Sequence, residues 1–287
     1  AGQIRAFGPM NEPNVLGAIA VTSMPMIWSL VIDKRNQQVI KIASFISFVG
    51  ALYCLFASAS RGATIAAIAA GMVYAAVAGR SLGRKLVVAG MLASLGFGFF
   101  FFAPKSFDQR VVGTVIEERK GASKVSYGMR DVQMKIALEL IPKRPLLGFG
   151  WNAFPNIQEM KTGHKNLTLH SSVLAMAVAY GLPTAILYCI LMFAGVYYAW
   201  RLARYWPECR VYSIGLTAAI AGRVVMSLSL TRAFNPGLWA LIALAFGLHT
   251  LGKHKHEREQ REQREAKMSS ADALGTPPLE PHSAANP

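Results

Sequence analysis

The chain is predicted to be all-α, a polytopic transmembrane helical bundle. Its hydrophobic fraction is 53% and its mean hydropathy is +0.33, both high for a water-soluble domain. Several apolar runs reach the roughly 20 residues that cross a bilayer core. The runs lack the period-two alternation of a barrel, and backbone in lipid must satisfy its own hydrogen bonds, which leaves helices.

About seven spans are expected, at Asn14–Ile32, Ile42–Ala57, Ala63–Ala78, Leu86–Ala103, Ser171–Trp200, Val211–Ser229 and Pro236–Leu251. The fifth carries "YGLP" (Tyr180–Pro183), where Gly followed by Pro predicts a kink or a short helix leading into a full span. The chain thus divides into membrane helices over residues 1–103, a long loop over 104–169, membrane helices over 170–252 and a tail over 253–287. Within the loop, Met129, Val132, Ile136 and Leu140 recur at spacings of three and four, the mark of an amphipathic helix. The Gly-rich "PLLGFGWNAF" follows it as a turn, and its GxG does not follow a strand, so it is no dinucleotide fingerprint. The tail is expected to be a short solvated helix and then disorder. Its histidines read more readily as part of a polar tail than as metal ligands.

Orientation follows from charge. Lys34, Arg35 and Lys41, then Arg80, Arg84 and Lys85, then Arg201, Arg204 and Arg210, then the "KHKHER" segment, all fall on one side of the alternating spans. Clustered Lys and Arg in short loops mark the cytoplasm. The long loop is also basic, but long loops escape that rule. The formal net charge of +15 is therefore no sign of nucleic acid, and neither an aromatic-interleaved basic domain nor a zinc spacing accompanies it. The three cysteines form no CxxC spacing and imply neither a disulfide framework nor a thiol metal site. No signal peptide is visible at the start.

Several ionisable residues gather on the non-cytoplasmic side. Arg61 lies in "SASRGAT", in an almost loopless turn between two spans. Two readings of it stand: snorkelling to lipid headgroups, or bidentate phosphate binding in the room left by Ser58, Ser60 and Gly62. Arg130 opens the loop helix and either sits on the surface or aims back at the bundle. Arg223 lies within the sixth span, where a charge costs about 2.5–3.5 kcal/mol on insertion scales and usually faces a cavity or a partner. Arg232 is in the next external turn, and Arg5 precedes the first span. His170 stands where the chain turns from polar to apolar, at the mouth of the fifth span. A near-neutral base among arginines describes a site for an anionic leaving group: imidazole takes a proton, and guanidinium groups stabilise departing charge. No carboxylate pair for a metal is visible.

The stretches "GPMNEPNVLGAIA", "ASASRGATIAA", "YGMRDVQMKIALELIPKRPLLGFGWNAF" and "LHSSVLAMAVAYGLPTAILY", in this order across about Gly8–Tyr188, resemble the O-antigen ligase and polymerase superfamily of bacterial inner-membrane glycosyltransferases. The resemblance implies a long periplasmic loop with an amphipathic helix, and a donor glycan on undecaprenyl pyrophosphate. It implies no cofactor, nucleotide sugar or metal. It implies that Arg61 and Arg130 contact the pyrophosphate and that His170 activates the acceptor hydroxyl. Asn14 matches the family's Pro-Asn. Family members often carry Asn after the histidine, where this chain has Ser171. The family has a dozen or so spans, so the resemblance also implies missing N-terminal helices. The acceptor is open between lipid A–core, a growing glycan and a protein hydroxyl. A transporter of anionic lipids would use the same arginines without chemistry, but it should show paired broken spans or internal repeats. A non-catalytic scaffold would have no need of Arg223 and His170.

Overall fold

The computed structural model describes residues 12–58, 60–78, 124–162, 169–228 and 236–273. Among them there are nine α-helices, two 3₁₀ turns and no strand. We number the helices α1 (Pro13–Ile32), α2 (Gln38–Ala57), α3 (Arg61–Ala78), α4 (Lys124–Leu140), α5 (Ala153–Thr162), α6 (Ser172–Tyr180), α7 (Leu182–Tyr205), α8 (Arg210–Ser227) and α9 (Pro236–Ala273).

Among the described residues, four helical segments are long and apolar enough to cross a membrane: Pro13–Ile32, Gln38–Ala57, Leu182–Tyr205 and Pro207–Ser227. The expected third span is the shorter apolar helix Gly62–Ala78 within α3. The fourth, Leu86–Ala103, lies outside the described residues. The seventh is the apolar start of α9.

The packing has the pattern expected of helices in lipid, with small residues inside and large apolar ones outside. Ala18, Ala63, Ala66, Ala67 and Ala70 are buried between α1 and α3. Ile42, Ile46, Ile65, Ile186, Ile190 and Phe193 point outward and are more than half exposed. Helix α8 is the centre of the bundle, packing against α1, α3, α7 and α9. Gly222 permits its approach, because a Cβ there would lie 2.8 Å from Val21 Cγ1 and 3.0 Å from Ala70 Cβ. Ser29 near the end of α1 donates to Val211 O at 3.0 Å near the start of α8, whereas Met226 near the end of α8 packs with Ala18 and Ala63. Helix α8 therefore runs antiparallel to α1 and α3. It is also antiparallel to α7: Ser213 Oγ donates to Ala199 O at 2.6 Å, and Ser227 Oγ lies 3.7 Å from Met192 Sδ.

These directions sort the bundle into two ends. One holds the starts of α1, α3 and α9 and the finish of α8. The other holds the α1–α2 and α7–α8 connections, with Lys34, Arg35, Arg204, Arg210 and the beginning of the charged part of α9. At this second end Asp33 stops α1. Its carboxylate takes Arg35 Nη2 at 2.8 Å and Nε at 3.1 Å, and Arg35 N at 3.0 Å. These bonds, led by the Arg35 side chain, hold the Asp33 carboxyl below the usual carboxylate range. A depressed native pKa contributes stability above the unfolded value, about 4, and loses it as pH falls toward the native one. Asp33→Asn is expected to lower the melting temperature at pH 7. The gap from the parent chain should close as pH is taken below about 4, as read by thermal melts in detergent.

The fifth span is a short helix leading into a full one, the second of the two forms expected, but the two are not in line: α6 and α7 form a hairpin about Gly181, whose φ is +89°. In line, Ser172 and Tyr188 would be about 24 Å apart at 1.5 Å per residue. Instead the side chain of Ser172 flanks the Tyr188 hydroxyl. One groove has Val173, Leu174 and Ala177 of α6 on one wall and Ala185, Cys189 and Ile190 of α7 on the other. The turn is held from outside: Leu182 N donates to Pro145 O at 2.7 Å, Phe149 N to Val178 O at 2.8 Å and Gly150 N to Ala179 O at 2.9 Å. The expected Gly-rich turn is thus a clamp on the hairpin, with positive φ at Gly148, Gly150 and Asn152.

Helices α4, α5 and α6 share a second small core of Ile136, Ala137, Leu140, Phe154, Leu169 and Val178. The expected apolar face of α4 is corrected in one place. Gln133 is buried and Val132 is 38% exposed, because the helix docks on α6 through the Gln133–Ala137–Leu140 line. Nor does Arg130 open this helix, which begins at Lys124, nearly two turns earlier. Lys161 Nζ pairs with Glu139 Oε2 at 2.6 Å across α4 and α5. The helical part of the tail is longer than expected. Helix α9 is continuous for 38 residues, exposed from Lys253 to Ser270 save for half-buried Lys255, His256 and Glu257 near the bundle, and rich in helix-forming Glu, Lys, Arg and Gln. Its charges pair one turn apart, as in Lys253–Glu257 and Lys255–Glu259.

Candidate functional site

The non-basic end of the bundle carries Arg61, His170 and Arg223, the first two placed by helix starts and the third within α8. Helix α2 ends at Ala57 and α3 begins at Arg61, so the turn between them is as tight as its sequence implies. Two serines build it. Ser58 Oγ donates to Leu55 O at 2.7 Å and accepts from Ser60 N at 3.3 Å. Ser60 Oγ in turn accepts from Ala63 N at 3.4 Å, the bond an N-cap makes to the first turn. Arg61 is therefore the first residue of a capped helix. Its backbone is set at the bundle end, while its side chain lies outside what is described. Asn14, second in α1 after Pro13, is half-buried at the same end.

His170 is held on both sides. Leu169 before it is 4% exposed, anchored among Ile136, Ala137 and Leu140. Ser171 after it is in extended conformation and caps α6, its side chain accepting from Leu174 N at 3.4 Å. The half-buried imidazole thus precedes a helix N-terminus whose next residue is already fixed. Asn and Ser are nearly equal as N-caps, so Ser171 fills the capping role that the Asn expected from the resemblance would have. His170 is not at the outer mouth of a long span, as expected. The hairpin turns α6 around, so that His170 faces the level of Tyr188 and the end of α8, and the turn at Gly181 lies away from it.

That level is polar inside an apolar bundle. Arg223 of α8 is 6% exposed, and the Tyr188 hydroxyl is its one ionisable neighbour among the described residues. Tyr188 is 3% exposed. Ser172 and Ser227 flank its hydroxyl, but no group reaches it at bonding geometry. Ser227 Oγ instead donates to Val224 O at 2.7 Å.

The structure thus brings Asn14, Arg61, His170 and Arg223 to one end of the molecule. Arg130 lies in α4 about 9 Å of helix rise before Ile136, which packs beside Leu169, and its side chain lies outside what is described. Arg5 and Arg232 are outside the described residues. Tyr188, Ser172 and Ser227 were not anticipated. A hydroxyl-bearing residue in the middle of an apolar run was the available signal, and without the hairpin nothing related Ser172 to Tyr188. A model of the O-antigen ligase family matches residues 45–189, a stretch that begins in α2 and ends in α7. No curated protein matches the chain.

Proposed function

The chain belongs to the O-antigen ligase family, and from that premise we propose that it transfers a glycan from undecaprenyl pyrophosphate to an acceptor hydroxyl at the periplasmic face of the bacterial inner membrane. The observation that carries this reading is the hairpin that sets His170, at the start of α6, against the bundle end where α3 starts with Arg61 and where Arg223 is buried. The membrane orientation rests on the opposite end, which gathers Lys34, Arg35, Arg204 and Arg210 and by the positive-inside rule faces the cytoplasm.

In this reading the acceptor O–H loses its proton to the neutral imidazole of His170 as its oxygen attacks the anomeric carbon. The bond from that carbon to the pyrophosphate oxygen breaks, and the diphosphate departs on the polyprenyl chain with its new charge held by Arg61 and Arg130. The test is to give the protein, in its native membrane, a labelled polyprenyl-pyrophosphate glycan together with lipid A–core, free glycan and a protein acceptor. The labelled product identifies a ligase, a polymerase or an O-oligosaccharyltransferase. Donor binding with no transfer to any of the three would contradict the proposal and favour a lipid transporter.

Arg61 separates phosphate binding from mere anchoring. A two-pronged guanidinium grip is not reproduced by an ammonium, whereas either group can snorkel. Arg61→Lys is expected to lower transfer about tenfold or more at unchanged membrane expression. Transfer at the parent rate would leave Arg61 as a headgroup anchor.

A further inference from the structure

Helix α7 gives the depth of whatever is fastened to it. From Trp200, just before Arg201 and Arg204 at the basic end, back to Leu182 it rises about 27 Å at 1.5 Å per residue. The hydrocarbon core of a bilayer is about 30 Å thick. Tyr197 and Trp200 are both about half exposed, and the Arg201 guanidinium lies 5.5 Å from the centre of the Tyr197 ring. Aromatic and basic side chains gather in this way where a span leaves the bilayer. Leu182 therefore stands near the opposite boundary of the core, and the exposed side chains of Leu182, Ile186, Ile190 and Phe193 form the lipid-facing stripe between the two.

The Gly-rich clamp shares the depth of Leu182. Pro145 O receives Leu182 N at 2.7 Å, and the backbone of Leu146 lies against Gly181. The side chains that the clamp shows to the outside are apolar: Leu146 is 70% exposed, Leu147 86% and Trp151 68%. Apolar groups exposed together mark a surface that meets lipid or protein, and the neighbours of these point to lipid. Trp151 is stacked on Tyr180 with ring centroids 6.3 Å apart, an aromatic pair at the level where the second interfacial belt belongs. The exposed Lys143 and Arg144 directly precede the leucines. Long basic side chains at that place run their stems along the apolar edge and their charges toward headgroup phosphates. Leu138 and Ile141, at the end of α4 and just after it, line the same open groove as Leu182, Ile186 and Ile190, so this part of the loop also meets the lipid-facing stripe.

We infer that the segment 145–151 is a membrane anchor, in which Leu146, Leu147 and Trp151 insert into the phospholipid leaflet at the non-basic end of the bundle and Lys143 and Arg144 lie among its headgroups. Under the orientation argued above this is the periplasmic leaflet. The inference makes no use of the transferase reading and holds equally for a transporter or a scaffold. It has a consequence for the hairpin. The loop that clamps α6 against α7 is itself held by the bilayer, so the turn at Gly181 is fixed at the boundary of the core. Helix α6 reaches inward from that turn toward the level of Tyr188, and His170 stands at its inner end.

The test uses the full chain in phospholipid nanodiscs, with nitroxide labels on single introduced cysteines and with Cys54, Cys189 and Cys209 changed to alanine. Oxygen concentrates in the lipid and a nickel chelate in water, so the relaxation that each causes reads the depth of a label. Labels at Leu146→Cys and Leu147→Cys are expected to behave like one at Ile190→Cys on the lipid-facing stripe, relaxed by oxygen and shielded from the chelate. A label at Met268→Cys, on the exposed part of α9, supplies the opposite value for water. Relaxation by the chelate as at Met268→Cys puts the segment in water, and shielding from both reagents puts it beneath protein; either result overturns the inference. A second measurement keeps the native cysteines, should the alanine background fail to fold. The fluorescence that Trp151→Phe removes is expected to be quenched when the nanodisc lipids carry bromine on their acyl chains. If that share of the emission is as bright in brominated lipid as in plain lipid, the inference is overturned.

Discussion

Replacing His170 by alanine is expected to cut glycan transfer by about 10²–10⁴-fold, the usual contribution of a positioned general base, while labelled polyprenyl pyrophosphate still binds. Both halves of the expectation come from the position of the residue. The diphosphate is already a good leaving group and is proposed to be met by arginines, so what a side chain can still add is nucleophilicity at the acceptor oxygen. His170 stands between an anchored Leu169 and the capping Ser171, so its loss removes the imidazole without removing the helix start behind it. His170→Gln separates two roles. Glutamine can hydrogen-bond an acceptor hydroxyl but cannot carry its proton away. A Gln variant as slow as the Ala variant identifies the base; one that turns over at the parent rate reduces His170 to a positioning residue.

Gly181→Ala is expected to abolish transfer and to cost about 2–5 kcal/mol of stability, the sum of backbone strain and overpacking. At φ +89° and ψ 171° the backbone is in a region open essentially to glycine alone. A Cβ there would also run into the backbone of Leu146 and come within 2.8 Å of Pro145 O. The carbonyl it would displace is the one that receives Leu182 N at 2.7 Å, so the substitution attacks both the turn and its clamp. Gly150 supplies the comparison. Its φ is +97°, but a Cβ there meets nothing within 4 Å. Gly150→Ala should therefore cost the strain alone, about 1–3 kcal/mol, and retain transfer. Thermal melts and transfer assays on the pair decide the matter. Equal losses would show that contact with the 145–146 backbone is not what folds α6 back.

The parts of this structure that were legible in the sequence are those set by composition and by charge sign. Uninterrupted apolar runs announced α1, α2, α7 and α8, and the serines of "SASRGAT" announced a tight turn with Arg61 at its exit. The alternation of basic loops also placed Arg61 and His170 on the same end. Hydrophobic periodicity failed where it has no information. An apolar run reads the same whether its two halves are in line or folded against each other, so "YGLP" announced a kink or a short lead-in helix but not the reversal at Gly181. The Gly-rich clamp that enforces it was seen only as a turn, because its partners, Val178 and Ala179, are distant in sequence. In α4 the alternation pointed to Val132, whereas docking on α6 selected Gln133; a buried amide leaves no mark in a hydropathy pattern. Tyr188 and Arg223 come together from different helices, and only Arg223, being charged, was conspicuous alone.

Helix α9 offers a practical handle. From Arg258 to Ala273 it continues without interruption for about 24 Å, beyond Lys255, whose ammonium reaches Glu208 at 3.5 Å and sits over the Trp206 ring, and His256, whose ring meets that of Tyr205. A fluorophore attached at Met268 would be joined to the membrane core by a stiff rod and not by a slack tether. Its depolarisation would then follow the tumbling of the whole particle, and a glycine pair placed at Glu262 and Gln263 would uncouple the two.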